Sequence, residues 1–182
     1  MRIKIPPPAK FFFAVLANQK DYHHAAEAEI EQKWGAIDSR SNLYSLSDYT
    51  NYYQKEMGPT LWKYFLTLED PIPMDSLVDV KRFAEDVQRK FSAQDQRTVN
   101  LDPGFITAWN LVLSTVKNYS HRIYLREGIY AEVTLIYKEH SFHPLPWTYP
   151  DYASPLALDF FEKARAASIR QLKTEPPLRL RL

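Results

Sequence analysis

A predicted β-hairpin between residues 117 and 135 carries the side chains that are best suited to chemistry. A turn at Gly128 would place Arg122 opposite Glu132 on neighbouring strands. A guanidinium can clamp a phosphate or a carboxylate, and a carboxylate beside it can orient that cation or act as a general base. The same two residues could instead form an ordinary cross-strand ion pair, which contributes up to about 1 kcal/mol. Both interpretations stay open at this point.

The register of this hairpin divides its side chains between two faces. A three-residue loop over 126–128 pairs Leu125 with Ile129, and the pairs that follow are Tyr124–Tyr130, Ile123–Ala131, Arg122–Glu132 and His121–Val133. The face predicted to join the core contains Leu125, Ile129, Ile123, Ala131, Val133 and Leu135. The predicted polar face contains Tyr124, Tyr130, Arg122, Glu132, Ser120 and Thr134. On that face, Tyr124 and Tyr130 would form walls of a ligand site.

Two further basic residues lie at the start of the hairpin. Histidine is a common acid or base in enzymes, so His121 could have that role, although it could equally be a structural histidine at a strand edge. Lys117 lies four residues earlier in the chain. Lys117, His121 and Arg122 together predict a cluster that can hold a phosphate or a carboxylate.

Asp102 is a second candidate for acid–base chemistry, beside Glu132. It follows a strand predicted over residues 97–101 and precedes Pro103 and Gly104. A carboxylate at the end of a strand can serve as a general acid or base. An Asp-Pro-Gly sequence is also a favourable turn, because Pro restricts φ and Gly tolerates positive φ. We expect a turn here in either case.

The segment from Leu145 to Tyr152 is rich in aromatic residues and proline. Two prolines flank Trp147-Thr148-Tyr149 and stiffen an extended conformation. We expect this loop to cover the core or to form the wall of a pocket. In the second case Trp147, Tyr149 and Asp151 would contact a ligand.

Composition excludes several classes of protein. The 182 residues include only four glycines, and no two lie within twenty positions of each other, so neither a P-loop nor a GxGxxG dinucleotide motif occurs. The net charge of +1 makes nucleic acid an improbable partner. No apolar run reaches the length of a membrane span. Cysteine is absent, which favours the cytoplasm, and neither a metal nor a cofactor is expected.

Hydrophobic periodicity predicts an α+β fold with a ferredoxin-like βαββαβ core, followed by a β-hairpin and a helix. A buried strand over 10–17 opens the domain, a helix runs from Asp21 to Trp34, and Ser154 caps the last helix. The other predicted strands are 48–53, 61–68, 97–101, 121–125 and 129–137, a helix begins near residue 75, and 36–46 is a loop. The expected boundaries are an N-terminal arm at 1–8, one domain at 9–173 and a C-terminal tail at 174–182.

Four segments resemble an uncharacterised prokaryotic family called domain of unknown function 4416. They are DYTNYYQKEMG (48–58), NLDPGF (100–105), KNYSHRIYLREGIYAEVTLIY (117–137) and LPWTYPDY (145–152). The resemblance extends from about Ala9 to Leu172. It implies a small bacterial, cytoplasmic, single-domain protein without an assigned activity or known catalytic residues. Members are sometimes labelled GTP-binding proteins, but this sequence has neither a P-loop nor an NKxD motif.

The sequence leaves two hypotheses about function. In the first, the chain binds a small anionic molecule that carries a ring, and it acts on that molecule if Glu132, His121 or Asp102 serves as the acid or base. In the second, it is a non-enzymatic module whose aromatic loops bind another protein, because Tyr, Trp and Arg are typical of interfaces. Composition does not separate the two, and the oligomeric state is open.

Overall fold

The structure, a computed structural model, describes residues 3–92 and 96–174. These residues contain nine strands and four α-helices. The strands are β1 (Lys10–Ala17), β2 (Ile37–Arg40), β3 (Tyr44–Ser45), β4 (Trp62–Leu68), β5 (Val99–Ile106), β6 (Asn110–Thr115), β7 (Ile123–Arg126), β8 (Ile129–Lys138) and β9 (Ser141–Pro144). The helices are α1 (Lys20–Trp34), α2 (Gln54–Met57), α3 (Leu77–Lys90) and α4 (Pro155–Thr174). The tail expected at 174–182 lies outside the described residues except for Thr174.

The strands form one sheet in the order β2-β4-β1-β5-β6-β8-β7, with β3 beside β4 and β9 beside β8. All pairings between the described strands are antiparallel. The α+β class is therefore confirmed, but the ferredoxin-like topology is not. The physical reason is that β1 lies between β4 and β5 and is antiparallel to both, while the segment expected as a loop supplies two more strands at the edge.

The central strand β1 is buried along its whole length, as its uninterrupted apolar sequence predicts. Alternate side chains face opposite sides of the sheet. Phe11, Phe13 and Val15 belong to one hydrophobic cluster, which α1 and α3 cover. Phe12, Ala14 and Leu16 belong to the other, which α4 covers. The sheet is thus packed between helices on both faces.

The helices α1, α3 and α4 begin close to their predicted positions, whereas α2 was not predicted. Gly35 follows α1 with a φ of 99°, a conformation that favours glycine. The Ser154 hydroxyl accepts a hydrogen bond from the backbone N–H of Ala157 at 3.2 Å, which confirms the predicted N-cap of α4. None of the described helices is both long enough and apolar enough to cross a membrane.

Residues 36–53 differ from the prediction. The expected loop contains β2 and β3, because Asp38 on β2 accepts a hydrogen bond from Thr67 on β4 at 2.5 Å and contacts Lys10 on β1. The expected strand at 48–53 is wrong. That segment follows a 3₁₀ turn at Leu46–Asp48 and leads into α2, because the N–H groups of Tyr49 and Thr50 both bond to Leu46.

The predicted Asp-Pro-Gly turn is also wrong, since β5 continues through it to Ile106. The Ser114 hydroxyl on β6 donates to the carbonyl of Pro103 at 2.7 Å. In a strand the N–H and C=O of one residue point to the same side, so the missing N–H of Pro103 faces β6 and not β1. Accordingly β6 pairs with β5 only over residues 104–106. Proline is tolerated here because the β5–β6 ladder has already ended.

The β7–β8 hairpin confirms part of its predicted register. Ile123 pairs with Ala131 and Tyr124 with Tyr130, but Arg126, not Leu125, pairs with Ile129. The loop therefore has two residues, Glu127 and Gly128, both with positive φ as a tight hairpin turn requires. Leu125 is left in a bulge.

The predicted faces of the hairpin are wrong in part. Ile123 and Leu125 were expected in the core but are exposed, because β7 is the last strand of the sheet. Glu132 and Thr134 were expected on a polar face but are buried. The interior side of β8 thus carries a carboxylate, and this places Glu132 where a site can form.

Replacing Gly104 with alanine should destabilise the protein. A Cβ atom there would lie 2.3 Å from the Val112 carbonyl oxygen and 2.7 Å from the Phe12 ring. We expect the free energy of unfolding, measured by urea denaturation, to fall by about 3 kcal/mol.

Gly128→Ala is the matched control, because no atom of the described residues lies within 4 Å of a Cβ placed there and only its φ of 76° opposes the change. Its free energy of unfolding should fall by about 1 kcal/mol. Equal losses in the two variants would contradict the close packing at Gly104.

Candidate functional site

The main cavity lies where β5 and β6 separate. Beyond Gly104 the two strands no longer pair, while Ser114 and Thr115 of β6 continue along β8. We call this separation the fork. The cavity has a volume of about 740 Å³. Its walls come from the fork, from α3, from the tyrosine-rich segment 49–56 and from the loop at 149–152.

Asp102 lies on β5 at the fork. Its Oδ2 accepts a hydrogen bond from Asn100 at 2.7 Å, and the Lys81 ammonium lies 3.4 Å from its Oδ1. Burial raises the pKa of Asp102, but Lys81, Lys63 and the Asn100 hydrogen bond together outweigh burial and hold that pKa below its usual value. Asp102 is therefore ionised at neutral pH, and its side chain is 29% exposed.

Asp151 also lines the main cavity and belongs to a buried polar cluster. The Lys63 ammonium is 2.5 Å from its Oδ2, and the Tyr44 hydroxyl donates to the same oxygen at 2.9 Å. Burial, with the charge and hydrogen bond of Asp151, raises the pKa of Tyr44, so its phenol stays protonated. Lys63 also lies 4.8 Å from the centre of the Tyr152 ring. Asp151 thus fixes one wall of the cavity.

Glu132 lies on β8 and is almost completely buried. Its Oε2 accepts a hydrogen bond from Nε of Arg122 at 2.7 Å and lies 3.2 Å from Nε2 of His121. Its Oε1 has no hydrogen-bond partner among the described residues. The predicted Arg122–Glu132 contact therefore exists, and it leaves one carboxylate oxygen available.

A second, smaller cavity of about 370 Å³ lies beside the main one, and we call it the basic groove. It is lined by Lys117, Asn118, Tyr119, His121, Arg122, Trp147 and Tyr149. The His121 and Trp147 rings stack with centroids 4.9 Å apart. Trp147 is fixed in turn by a hydrogen bond from its Nε1 to the Val133 carbonyl at 2.8 Å. The groove therefore joins cationic and aromatic side chains.

Arg122 lines the basic groove and forms hydrogen bonds within the protein. Its Nη1 donates to the Lys117 carbonyl at 2.8 Å and its Nη2 donates to the Tyr149 hydroxyl at 2.9 Å. With Glu132 on Nε, the guanidinium orients three groups of the site. A direct contact between Arg122 and an anion stays a prediction.

The structure brings eight of the ten predicted site residues to these cavities. Asp102, Glu132 and Asp151 line the main cavity, whereas His121, Arg122 and Trp147 line the groove. Lys117 and Tyr149 line both. Tyr124 and Tyr130 pack against each other and are not among the described lining residues of either cavity.

Several lining residues were not identified from the sequence. They are Lys63, Lys81, Gln88, Arg97, Asn100 and Tyr152. Lys63 and Lys81 had a detectable signal, since each interrupts an apolar strand or helix face and lysine is rarely buried without a partner. Gln88 and Tyr152 had none, because ordinary core and surface positions accept the same residue types. Among the described residues, no group of three or more metal-ligating side chains could hold an ion.

The stability of the protein should depend on Asp102 in a pH-dependent way. A carboxyl whose pKa is depressed by folding stabilises the protein above its unfolded pKa near 4, and this contribution is lost as the pH falls through the folded pKa. Asp102→Asn should lower the free energy of unfolding by about 1.5 kcal/mol at pH 7 and by clearly less at pH 3.

Urea denaturation at both pH values measures this difference. Asp159→Asn is the control, because Asp159 forms an exposed ion pair with Lys163 on α4 and should change stability by less than about 0.5 kcal/mol. If Asp102→Asn lowers the free energy of unfolding by the same amount at pH 3 and pH 7, the charge of Asp102 does not stabilise the fold.

Comparisons with known proteins identify the family of the chain. No curated protein and no solved structure matches the chain. One family model, described as a domain of unknown function (DUF4416), matches residues 7–167. That match covers both cavities and all the lining residues named above, and the chain therefore belongs to the DUF4416 family.

Proposed function

We propose that the protein binds a small anionic molecule that carries a ring, with the ring in the main cavity and the anionic group at the boundary with the basic groove. The observation that carries this proposal is that Lys117 and Tyr149 line both spaces. A cation and an aromatic ring thus stand where the two halves of such a ligand would meet.

The aromatic walls support a ring in the main cavity. Tyr49, Tyr52, Tyr53 and Tyr149 line it, and a cavity of this size falls in the range that holds small ligands. Tyrosine offers a flat apolar surface for stacking and a hydroxyl at its end. This combination accommodates a ring with polar substituents.

Lys117 is the best placed residue for the anion. Its ammonium lies 2.8 Å from the Tyr52 hydroxyl, and no carboxylate pairs with it within the described part of the chain. The carboxylates of the main cavity, by contrast, are all paired, with the pairs Glu56–Arg97, Glu85–Lys81, Asp102–Lys81, Glu132–Arg122 and Asp151–Lys63. Lys117 therefore supplies positive charge that no carboxylate of the described residues neutralises.

The same site holds groups for acid–base chemistry. Asp102 is ionised at neutral pH and so fits the role of a base rather than that of an acid. His121 shares a carboxylate oxygen of Glu132 with Arg122, which orients its ring beside the groove. Turnover assays test whether the protein also transforms the bound molecule. The cytoplasmic location stays a prediction.

Thermal-shift measurements test the binding proposal. Phenyl phosphate, benzoate, glucose 6-phosphate and AMP are compared with phenol, benzyl alcohol, glucose and adenosine. We expect at least one anion to raise the melting temperature in proportion to its occupancy, while its uncharged counterpart does not. Lys117→Gln should weaken the binding of that anion about tenfold.

Lys138→Gln is the matched control, since Lys138 is exposed on β8 and lies outside the lining residues described for both cavities. It should bind as the wild type does. Equal weakening in both variants, or equal shifts from charged and uncharged compounds, would remove the support for an anion site at Lys117.

A second candidate function, binding to another protein, is favoured by the exposed edge of the sheet. Ile123 and Tyr124 on β7 are 69% and 58% exposed, and Tyr119 nearby is 65% exposed. An apolar edge strand is a template for pairing with another chain. The edge is only four residues long, however, and the bulge at Leu125 and the charge of Arg126 both discourage pairing.

Analytical ultracentrifugation up to about 100 μM tests self-association through β7. If this edge pairs with a second copy, the wild type dimerises and Ile123→Lys restores the monomer by placing like charges in the interface. Thr174→Lys adds the same charge at the exposed end of α4 and serves as control. A wild type that stays monomeric over this range would rule out edge pairing between copies.

A further inference from the structure

Three buried polar atoms on residues that line the main cavity have no hydrogen-bond partner among the described residues. They are Oε1 of Glu132, Nε2 of Gln88 and the hydroxyl of Tyr152. The residues themselves are 2%, 4% and 2% exposed. Buried polar atoms are almost always hydrogen-bonded, because an unpaired one costs stability. Three such atoms on the lining residues of one cavity therefore need an explanation.

The orientation of the Gln88 amide is determined by its neighbours. Its Oε1 accepts hydrogen bonds from the backbone N–H of Leu101 at 3.2 Å and from Nη1 of Arg97 at 3.4 Å. Both partners are donors, so the oxygen must face them and the NH₂ group must face away. Gln88 thus has a donor without a partner among the described residues, on a side chain that lines the main cavity.

Glu132 presents an acceptor. Arg122 and His121 both bind its Oε2, and Oε1 is left with lone pairs and no donor from the described residues. Because the carboxylate is held from one side, its free oxygen has a defined direction.

Tyr152 presents a hydroxyl that can act as donor or acceptor. Its ring is fixed by stacking on Phe161, at an interplanar angle of 12°, and by the Lys63 ammonium. Burial, together with the charges of Asp102 and Asp151, raises the pKa of this phenol, so it stays protonated. The rigid ring keeps the hydroxyl in place.

We propose that these three atoms form a recognition subsite for the edge of a ring that carries both a hydrogen-bond donor and a hydrogen-bond acceptor. A hydroxyl or N–H of the ligand binds Glu132, an oxygen or ring nitrogen binds Gln88, and Tyr152 completes the set. The inference rests on the proposed function and narrows it: the anion at Lys117 is attached to a polar ring, either a hydroxylated sugar-like ring or an aromatic heterocycle.

Three ring-bearing phosphates distinguish these chemistries by isothermal titration calorimetry. Glucose 6-phosphate has a hydroxylated ring, AMP has a heterocycle and a hydroxylated ring, and phenyl phosphate has a ring without donors or acceptors. We expect at least one of the first two to bind at least tenfold more tightly than phenyl phosphate. If phenyl phosphate binds as tightly as the tighter of these two, the subsite is refuted but the anion site stands. If none of the three binds, both proposals fall.

Isosteric variants test whether these three side chains recognise the ring. Glu132→Gln replaces the free acceptor by a donor, Gln88→Glu replaces the free donor by an acceptor, and Tyr152→Phe removes the hydroxyl. Each should weaken the preferred phosphate about tenfold or more and leave phenyl phosphate unchanged. Unchanged affinity for the preferred phosphate in all three would overturn the subsite.

The melting temperature of the unliganded Tyr152→Phe variant provides a test that needs no ligand. This test can be made even if Glu132→Gln and Gln88→Glu fail to fold. Removing a hydroxyl without a partner should leave the melting temperature unchanged or raise it. Tyr44→Phe is the control, because its hydroxyl is bonded to Asp151 and its removal should lower the melting temperature. A melting temperature that falls as far in Tyr152→Phe as in Tyr44→Phe would show a structural role for this hydroxyl and overturn its part in the subsite.

Discussion

The end of the β5–β6 ladder at Pro103 and Gly104 is the constraint on which the site depends. Pro103 has no N–H to continue the ladder, and its carbonyl is bonded to the Ser114 side chain instead of the β6 backbone. Gly104 allows the last pair to approach closely, since a Cβ would clash with Val112 and Phe12. The strands are thus held tightly on one side of this point and separate on the other. The main cavity occupies the space that results.

The charges around this cavity are arranged at some cost to stability. Lys63, Lys81 and Glu132 are buried and each has an oppositely charged partner. Buried ion pairs stabilise a fold less than well-packed apolar residues would, because both charges lose water. Three unpartnered polar atoms add to that cost. Such a concentration of unfavourable groups on one cavity is typical of a site in which function opposes stability.

The fold could be predicted from the sequence where local signals were strong. The prediction failed where contacts between distant residues determine the secondary structure. The buried β1, the helix stop at Gly35 and the cap at Ser154 follow from apolar runs and from capping chemistry. The strand β2 could not be predicted in this way, because its sequence is polar. It is held in the sheet by contacts from Asp38 to Lys10 and Thr67, which are distant in the chain. The predicted turn at Asp102 failed because a turn sequence lies within a strand that β1 holds along its whole length. In the hairpin, a bulge at Leu125 pairs Arg126 with Ile129 and shortens the loop from three residues to two.

The sequence by itself determined which residues could do chemistry, since Glu132, Asp102, Lys117 and the aromatic loop at 147–151 stand out by type and neighbours. Only the tertiary structure decided that they share one place. Gln88, Glu132 and Tyr152 lie on α3, on β8 and in the loop before α4, and the strand order brings them to one cavity. Tertiary packing likewise determined which face of β8 is buried. Local alternation separates the two faces of a strand, but only the neighbouring layers determine which face is buried.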